Sequence, residues 1–185
     1  MSHPNSLVAG SDKMNGEFEL KNGAVISTRA FKRDDFESLV VFFEGLHGES
    51  MRFSIPHYYD RARLETLTSD LERNIILLAL HDDRIVGVAA IFGSSLLWLR
   101  GIGDFMTYVD QDYQNQGLGT HLTRLILEEA RSKGYHRVSL EVVAENVAGI
   151  KAYEKGGFVV EGRMKDWHFG EDESYHDVLI MGIIL

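Results

Sequence analysis

A glycine turn between a predicted strand and a predicted helix constrains this 185-residue chain more than any other feature. The turn has the form Gln-x-x-Gly-x-Gly and runs from Gln114 to Gly119. Glycine lets the backbone approach a ligand closely, because it has no Cβ. The first turn of the following helix has unpaired N–H groups, and these donors together with the helix dipole favour an anion such as a pyrophosphate. Taken alone, the pattern also suits an ordinary glycine-rich loop between a strand and a helix.

The spacing of the turn excludes two common phosphate-binding motifs. A P-loop ends in Gly-Lys-Ser/Thr, whereas Gly119 is followed by Thr120 and His121. A dinucleotide-binding fingerprint has a third glycine three residues after the second, and Leu122 occupies that position. The turn is therefore a candidate pyrophosphate site of another kind.

The hydrophobic pattern predicts a mixed sheet with helices on its faces, in the order β-α-α-β-β-β-α-β-α-β-β. The predicted strands are 24–30, 74–81, 84–92, 104–109, 137–143, 158–164 and 177–184, with a further short piece at 96–100, and the predicted helices are 32–46, 58–71, 118–130 and 146–155. Residues 1–16 are polar and lack a hydrophobic signal core, so we expect a flexible tail there. Residues 17–185 are expected to form a single domain.

Composition narrows the classes of function. The chain has no cysteine, which excludes disulfides, a cysteine nucleophile and a thiolate zinc site, and which fits a cytoplasmic protein. The eight histidines are scattered, so no metal site is expected. A net charge of −9 argues against nucleic-acid binding, and no apolar run reaches the length of about 20 residues that spans a bilayer. An acidic surface suits a cationic substrate, but it also simply favours solubility.

Two segments together resemble the GNAT superfamily of N-acetyltransferases. The first comprises Val109, Asp110, Tyr113, Gln114, Gly117 and Gly119; the second comprises Leu140, Val142, Asn146, Gly149, Ile150, Tyr153, Gly157 and Phe158. The resemblance covers residues 84–185 well and the first 80 residues loosely. It implies an α/β (α+β) fold with a GNAT-type central mixed, splayed sheet, open between the strands 104–109 and 137–143. It also implies acetyl-coenzyme A as co-substrate, bound in that opening without a metal.

The resemblance also implies roles for individual residues. The cofactor-binding set it implies is Tyr108, Val109, Gln114, Asn115, Gln116, Gly117, Leu118, Gly119, Thr120, Asn146 and Tyr153. Asn146 would hydrogen-bond the coenzyme arm, and the hydroxyl of Tyr153 would lie near the thioester sulfur and protonate the leaving thiolate. A plain helix N-cap is the alternative role for Asn146, and core packing is the alternative for Tyr153.

The implied reaction is direct attack of a neutral amine on the acetyl carbonyl. A lysine-type amine has a pKa of about 10.4, so a base or a water chain must take its proton. Glu141 and Asp104 are the candidate bases, although carboxylates are more often solvated surface groups. The candidate acceptor-binding residues are Glu49, Ser50, Arg52 and Phe53, with Trp167, His168 and Tyr175 as further walls. The alternative for residues 49–53 is a solvated loop between helices.

The acceptor class stays open at this point. A small-molecule amine, an amino acid, a polyamine and a protein amine all satisfy the implied chemistry, and a homodimer is common among members of the superfamily. Two other functions remain as alternatives, a nonenzymatic acyl-CoA-binding sensor on the same fold and a nucleotide-binding module.

Overall fold

The computed structural model of the protein describes residues 12–47, 60–170 and 172–185. Its strands are β1 (Gly16–Glu19), β2 (Val25–Ala30), β3 (Ile75–His81), β4 (Arg84–Gly93), β5 (Ile102–Val109), β6 (Arg137–Val143), β7 (Val159–Phe169) and β8 (Tyr175–Ile184). Its helices are α1 (Phe36–Glu44), α2 (Arg61–Thr68), α3 (Leu118–Ser132) and α4 (Val147–Lys155). The predicted mixed α/β architecture is confirmed.

The strands form one sheet in the order β1-β2-β3-β4-β5-β6-β8-β7. Neighbouring strands are antiparallel except for β5 and β6, which are parallel. This parallel pair is in register only over three positions, and the last of them joins Asp104 to Ser139. β5 then continues to Val109 and β6 to Val143, so the two strands diverge and the sheet opens between them.

Each face of the sheet is covered by its own hydrophobic core. On one face α3 buries Leu118, Leu122 and Ile126, which recur at the four-residue spacing of a single helix face. On the other face α1 packs its phenylalanines against the sheet, and the rings of Phe43 and Tyr108 meet edge to face with centroids 5.3 Å apart. None of the described helices is long and apolar enough to cross a membrane.

The predicted strand piece at 96–100 is wrong. Residues Leu97–Leu99 form a 3-10 turn, and Leu97 and Trp98 are 80% and 75% exposed. The reason is that β4 and β5 pair directly up to Gly93 and Gly103, so the residues between them only connect two antiparallel strands and have no free partner strand.

The described fold starts earlier than the predicted tail boundary at residue 16. Asp12–Met14 form a 3-10 turn, Met14 is buried in the core, and β1 pairs with β2 from Gly16 onward. The short strand Gly16–Glu19 has a single apolar side chain, Phe18, which is too little for a periodic pattern. Residues 1–11 lie outside the described part of the chain.

Candidate functional site

The divergence of β5 and β6 creates a cleft of about 750 Å³. The ends of both strands, the glycine turn and α4 line it. Most of the residues that the sequence singled out therefore meet in one place, although they are spread over roughly fifty positions of the chain.

Local hydrogen bonds shape the glycine turn at one end of the cleft. Asp110 caps the 3-10 turn Gln111–Tyr113 by accepting the Asp112 N–H at 3.0 Å, and it also pairs with Arg84. The side-chain amide of Gln114 donates to the carbonyl of Val109 at 3.1 Å. The backbone then reaches α3 through two residues in the left-handed region, Asn115 with φ 58° and Gly117 with φ 93°.

The turn brings the N-terminal end of α3 to the cleft. Of the residues predicted to bind the cofactor here, Tyr108, Val109, Gln114, Asn115, Gly117, Gly119 and Thr120 line the cleft. Gln116 is not among the lining residues, and Leu118 is 1% exposed and packs in the core. Leu118 can therefore offer only its backbone N–H, one of the unpaired donors of the first helical turn.

Tyr153 projects from α4 into the same cleft. Its ring lies between those of Phe105, at a centroid distance of 5.8 Å, and Phe158, at 6.1 Å. Its hydroxyl has no hydrogen-bond partner within the described ranges, and burial raises the pKa of the phenol to about 12. The ring of Tyr153 is therefore packed between aromatic neighbours while the residue still lines the cleft. Its hydroxyl stays protonated at neutral pH.

Asn146 caps α4 and lines the cleft at the same time. Its Oδ1 accepts the Gly149 N–H at 2.9 Å, which is the usual N-cap bond. Its Nδ2 group has no hydrogen-bond partner among the residues that the structure describes. The two roles that the sequence left open are therefore compatible with one conformation.

The two candidate bases occupy different positions. Glu141 lines the cleft, and its pKa is raised, first by burial and then by the neighbouring carboxylate of Asp104. Asp104 does not line the cleft; it accepts a hydrogen bond of 3.2 Å from Ser139, where β5 and β6 are still paired. The negative charge of Asp104 thus contributes to the raised pKa of Glu141, although Asp104 itself does not line the cleft.

Tyr153 and Glu141 lie on opposite faces of the sheet. Side chains alternate along a strand, and on β6 Leu140 and Val142 belong to the core beneath α3, so Glu141 faces the α1 side. Tyr153 contacts Phe105, which lies on the α3 side. Where β5 and β6 diverge, the gap in the sheet connects its two faces. Tyr153 and Glu141, two groups able to exchange protons, face this passage from opposite sides.

A backbone donor of β5 also faces this passage. Asp110 N–H donates to Val86 on β4 at 3.0 Å, so by alternation Tyr108 and Met106 direct their N–H groups toward β4 as well. The N–H of Thr107 therefore points away from β4, beyond the last pair of β5 with β6. Thr107 lines the cleft.

None of the predicted acceptor-wall residues within the described ranges lines the cleft. Glu49, Ser50, Arg52 and Phe53 fall outside the described residues. Trp167 and Tyr175 are exposed, His168 is buried, and none of the three lines the cleft. No group of three or more His, Asp or Glu within the described ranges is arranged to hold a metal ion.

Three lysines line the cleft: Lys21, Lys151 and Lys155. Lys151 and Lys155 are spaced four residues apart on α4, so helical periodicity puts them on one face, although a solvated face is the usual outcome. Lys21 precedes the glycine turn by more than ninety residues, and no sequence pattern connects the two.

Comparison with known proteins identifies the family of the chain. The model of the Acetyltransferase (GNAT) family matches residues 38–158. The [Ribosomal protein bS18]-alanine N-acetyltransferase of Escherichia coli K12 is 35% identical over 79 residues, which cover 43% of this chain and 53% of that protein. The Salmonella typhimurium protein of the same name is 31% identical over 112 residues, covering 60% of this chain and 72% of that protein. The match thus spans about half the length of the Escherichia coli relative.

Solved structures share the fold over most of the chain. The GNAT-family acetyltransferase from Streptococcus pneumoniae superposes with a TM-score of 0.74 at 27% identity, covering 86% of this chain and 99% of that one. The structure of yncA from Salmonella typhimurium with its cofactor acetyl-CoA has a TM-score of 0.70 at 22% identity, covering 86% and 94%. The family model extends over well over half of the sequence, and this protein belongs to the GNAT acetyltransferase family.

Proposed function

We propose that the protein transfers an acetyl group from acetyl-coenzyme A to a primary amine, either on a small molecule or on a protein. The single observation that carries the proposal is the passage through the sheet, with the proton donor Tyr153 on one side and the carboxylate of Glu141 on the other. Membership of the GNAT family supports the same reaction.

The residues of the cleft fit the coenzyme. The unpaired N–H groups at the start of α3 and the glycine turn suit a pyrophosphate, because they offer donors and a positive helix end without side-chain obstruction. The free Nδ2 of Asn146 suits the amide-rich arm of the coenzyme. Tyr153 would then lie at the thioester end, where β5 and β6 diverge.

Each residue has a distinct chemical task. Acetyl-coenzyme A supplies an activated acyl thioester, so the protein needs only to orient it and to move protons. Glu141 takes the proton of the attacking amine, and its raised pKa makes it a stronger base than an ordinary glutamate. The Thr107 N–H is placed to donate to the acyl oxygen as its charge grows. Tyr153 gives its proton to the departing sulfur, which its high pKa leaves available.

The test is isothermal titration of the protein with acetyl-coenzyme A, comparing wild type with Gly117→Val. We expect micromolar binding to wild type and none to the variant, because the side chain strains the left-handed turn and obstructs the anion site. Gly134→Val is the matched control: Gly134 has φ 81°, follows the other end of α3 and has no atom within 4 Å of its added Cβ. It carries a similar backbone strain away from the cleft and should bind normally.

A panel of amines then separates enzyme from sensor. Release of free thiol with at least one amine supports the transferase, and comparison of amino acids, polyamines and N-terminal peptides defines the acceptor class. Tight binding without turnover on any amine would favour the nonenzymatic sensor, and absence of binding to wild type would refute the proposal.

A further inference from the structure

The connection between β1 and β2 reaches the coenzyme cleft. It is a tight turn in which Leu20 N–H donates to the Ala24 carbonyl at 2.8 Å and Gly23 N–H donates to that of Leu20 at 2.9 Å. Lys21 lies in this turn, lines the cleft, and donates from Nζ to the carbonyl of Asn115 at 3.2 Å. An N-terminal residue thus touches the glycine turn directly.

Packing fixes this hairpin on the glycine turn. The ring of Phe18 on β1 stacks on the ring of His121 in the first turns of α3, with centroids 4.1 Å apart and planes inclined by 16°. The same Phe18 ring lies 3.6 Å from the position that a Cβ would take at Gly117. Leu20 is 2% exposed and belongs to the core beneath α3. The position of Lys21 is therefore set by the packing of Phe18 and Leu20, which precede it in the chain.

The ammonium group of Lys21 has unused hydrogen-bond donors. It carries three N–H donors, and the carbonyl of Asn115 uses one of them. No carboxylate within the described ranges forms an ion pair with Lys21. The nearest part of the cleft is the glycine turn, where the helix end already favours an anion. Ammonium donors beside this anion-favouring turn suit a negatively charged ligand.

We propose that the N-terminal hairpin is part of the coenzyme site and that Lys21 binds the pyrophosphate together with the N-terminal end of α3. In this arrangement Lys21 bridges the carbonyl of Asn115 and a phosphate oxygen, and so it also holds Asn115 in its left-handed conformation. The inference rests on the proposed placement of the pyrophosphate at the glycine turn.

The experiment measures binding alone, so it does not depend on knowing the acceptor. Coenzyme A and 3′-dephospho-coenzyme A are titrated into wild type, Lys21→Met and Lys21→Arg. Lys21→Met should weaken both ligands by about tenfold, because it removes a charge-assisted contact while keeping the aliphatic stem. Lys21→Arg should retain most of the affinity. Lys13→Met, which changes an exposed lysine of the same N-terminal region outside the cleft, is the matched control and should bind as wild type.

Salt separates a phosphate contact from a merely structural role. A contact between an exposed ammonium and a phosphate is screened, so the difference between wild type and Lys21→Met should shrink as KCl rises from about 50 to 500 mM. A salt-independent loss would show that Lys21 only positions the turn and would overturn the proposal. A loss confined to coenzyme A, absent with the 3′-dephospho form, would assign Lys21 to the 3′-phosphate and would likewise overturn it.

An error in the placement of the pyrophosphate and an error in the role of Lys21 give different binding results. If Gly117→Val binds coenzyme A as wild type does, the placement of the pyrophosphate itself is wrong. If Gly117→Val loses binding and Lys21→Met keeps it, the pyrophosphate is at the turn and only the role of Lys21 is wrong.

Discussion

Tyr153 stands edge-on to Phe105, with ring centroids 5.8 Å apart and ring planes at 88°. This contact joins α4 to the strand that borders the opening of the sheet, and Tyr153 also lines the cleft. Edge-to-face pairs of this kind add about 0.5–1.5 kcal/mol beyond the area they bury. The ring contact thus fixes the position of Tyr153, whose hydroxyl is the expected proton donor.

Replacing Tyr153 by Phe should therefore lower kcat without loosening the coenzyme. The ring contacts remain, but the proton donor is lost, so we expect kcat and kcat/KM to fall together by roughly 10²- to 10³-fold. Steady-state thiol release, with titration of acetyl-coenzyme A, measures both quantities. Tyr135→Phe is the control, because its hydroxyl donates to Arg73 at 2.6 Å outside the cleft. An unchanged kcat in Tyr153→Phe would contradict the assigned role.

Removing the charge of Asp104 should lower the pKa of Glu141. Burial and the Asp104 carboxylate both raise that pKa, so Asp104→Asn removes one cause and leaves the other. The Glu141 carboxyl carbon can be titrated by NMR in both proteins, with Asp172→Asn as a distant control. A pKa that stays where it was, or rises, would show that the two carboxylates do not interact.

Glu141→Gln should reduce the rate more at about pH 7 than at about pH 9.5. If Glu141 takes the proton of the amine, its loss matters least where the free amine is already abundant, close to the amine pKa of about 10.4 for a lysine-type acceptor. We expect the deficit in kcat/KM to be about 10²-fold near pH 7 and to narrow steadily toward pH 9.5. A deficit that is constant across this range would mean that Glu141 binds or orients the acceptor instead.

The two glycines of the turn should respond differently to alanine. Gly117 has φ 93°, so Gly117→Ala should lower the free energy of unfolding by about 1–2 kcal/mol. Gly119 lies inside α3, and its added Cβ would meet Val109 Cγ2 at an ordinary 3.7 Å, so Gly119→Ala should cost nothing or stabilise by up to about 1 kcal/mol. Urea denaturation of the two variants provides the comparison. Equal destabilisation of the two variants would show that the space around the turn, and not the backbone conformation, sets the cost of the substitution.

The contribution of His176 to stability should decline as pH rises. The hydrogen bond to Asp172 chiefly raises the pKa of His176, with a smaller contribution from Glu145, so folding favours the protonated ring. That stabilisation is fully present below the unfolded pKa of about 6.5 and is lost as pH rises through the higher folded value. The difference in unfolding free energy between wild type and His176→Gln should therefore be larger at about pH 5.5 than at about pH 8.5. An opposite trend for His176→Gln would contradict the assignment.

Features that depend on neighbouring residues were predictable from the sequence. The N-cap at Asn146, the turn before α3 and the bounds of β6 follow from local chemistry and from hydrophobic spacing, and the structure confirms them. The strand piece at 96–100 was wrong because apolar residues alone do not supply a partner strand. β1 was missed because its four residues carry a single apolar side chain.

The sequence by itself determined the glycine turn, the residues available at it, and the family to which the chain belongs, since these reside in short continuous segments. Only the tertiary structure decided which face of the sheet each side chain occupies, because alternation along a strand sets which residues share a face but not which core covers that face. It therefore placed Tyr153 and Glu141 on opposite sides of the opening. It also brought Lys21 to the turn, because the packing of Phe18 and Leu20 across more than ninety positions of sequence has no local signature.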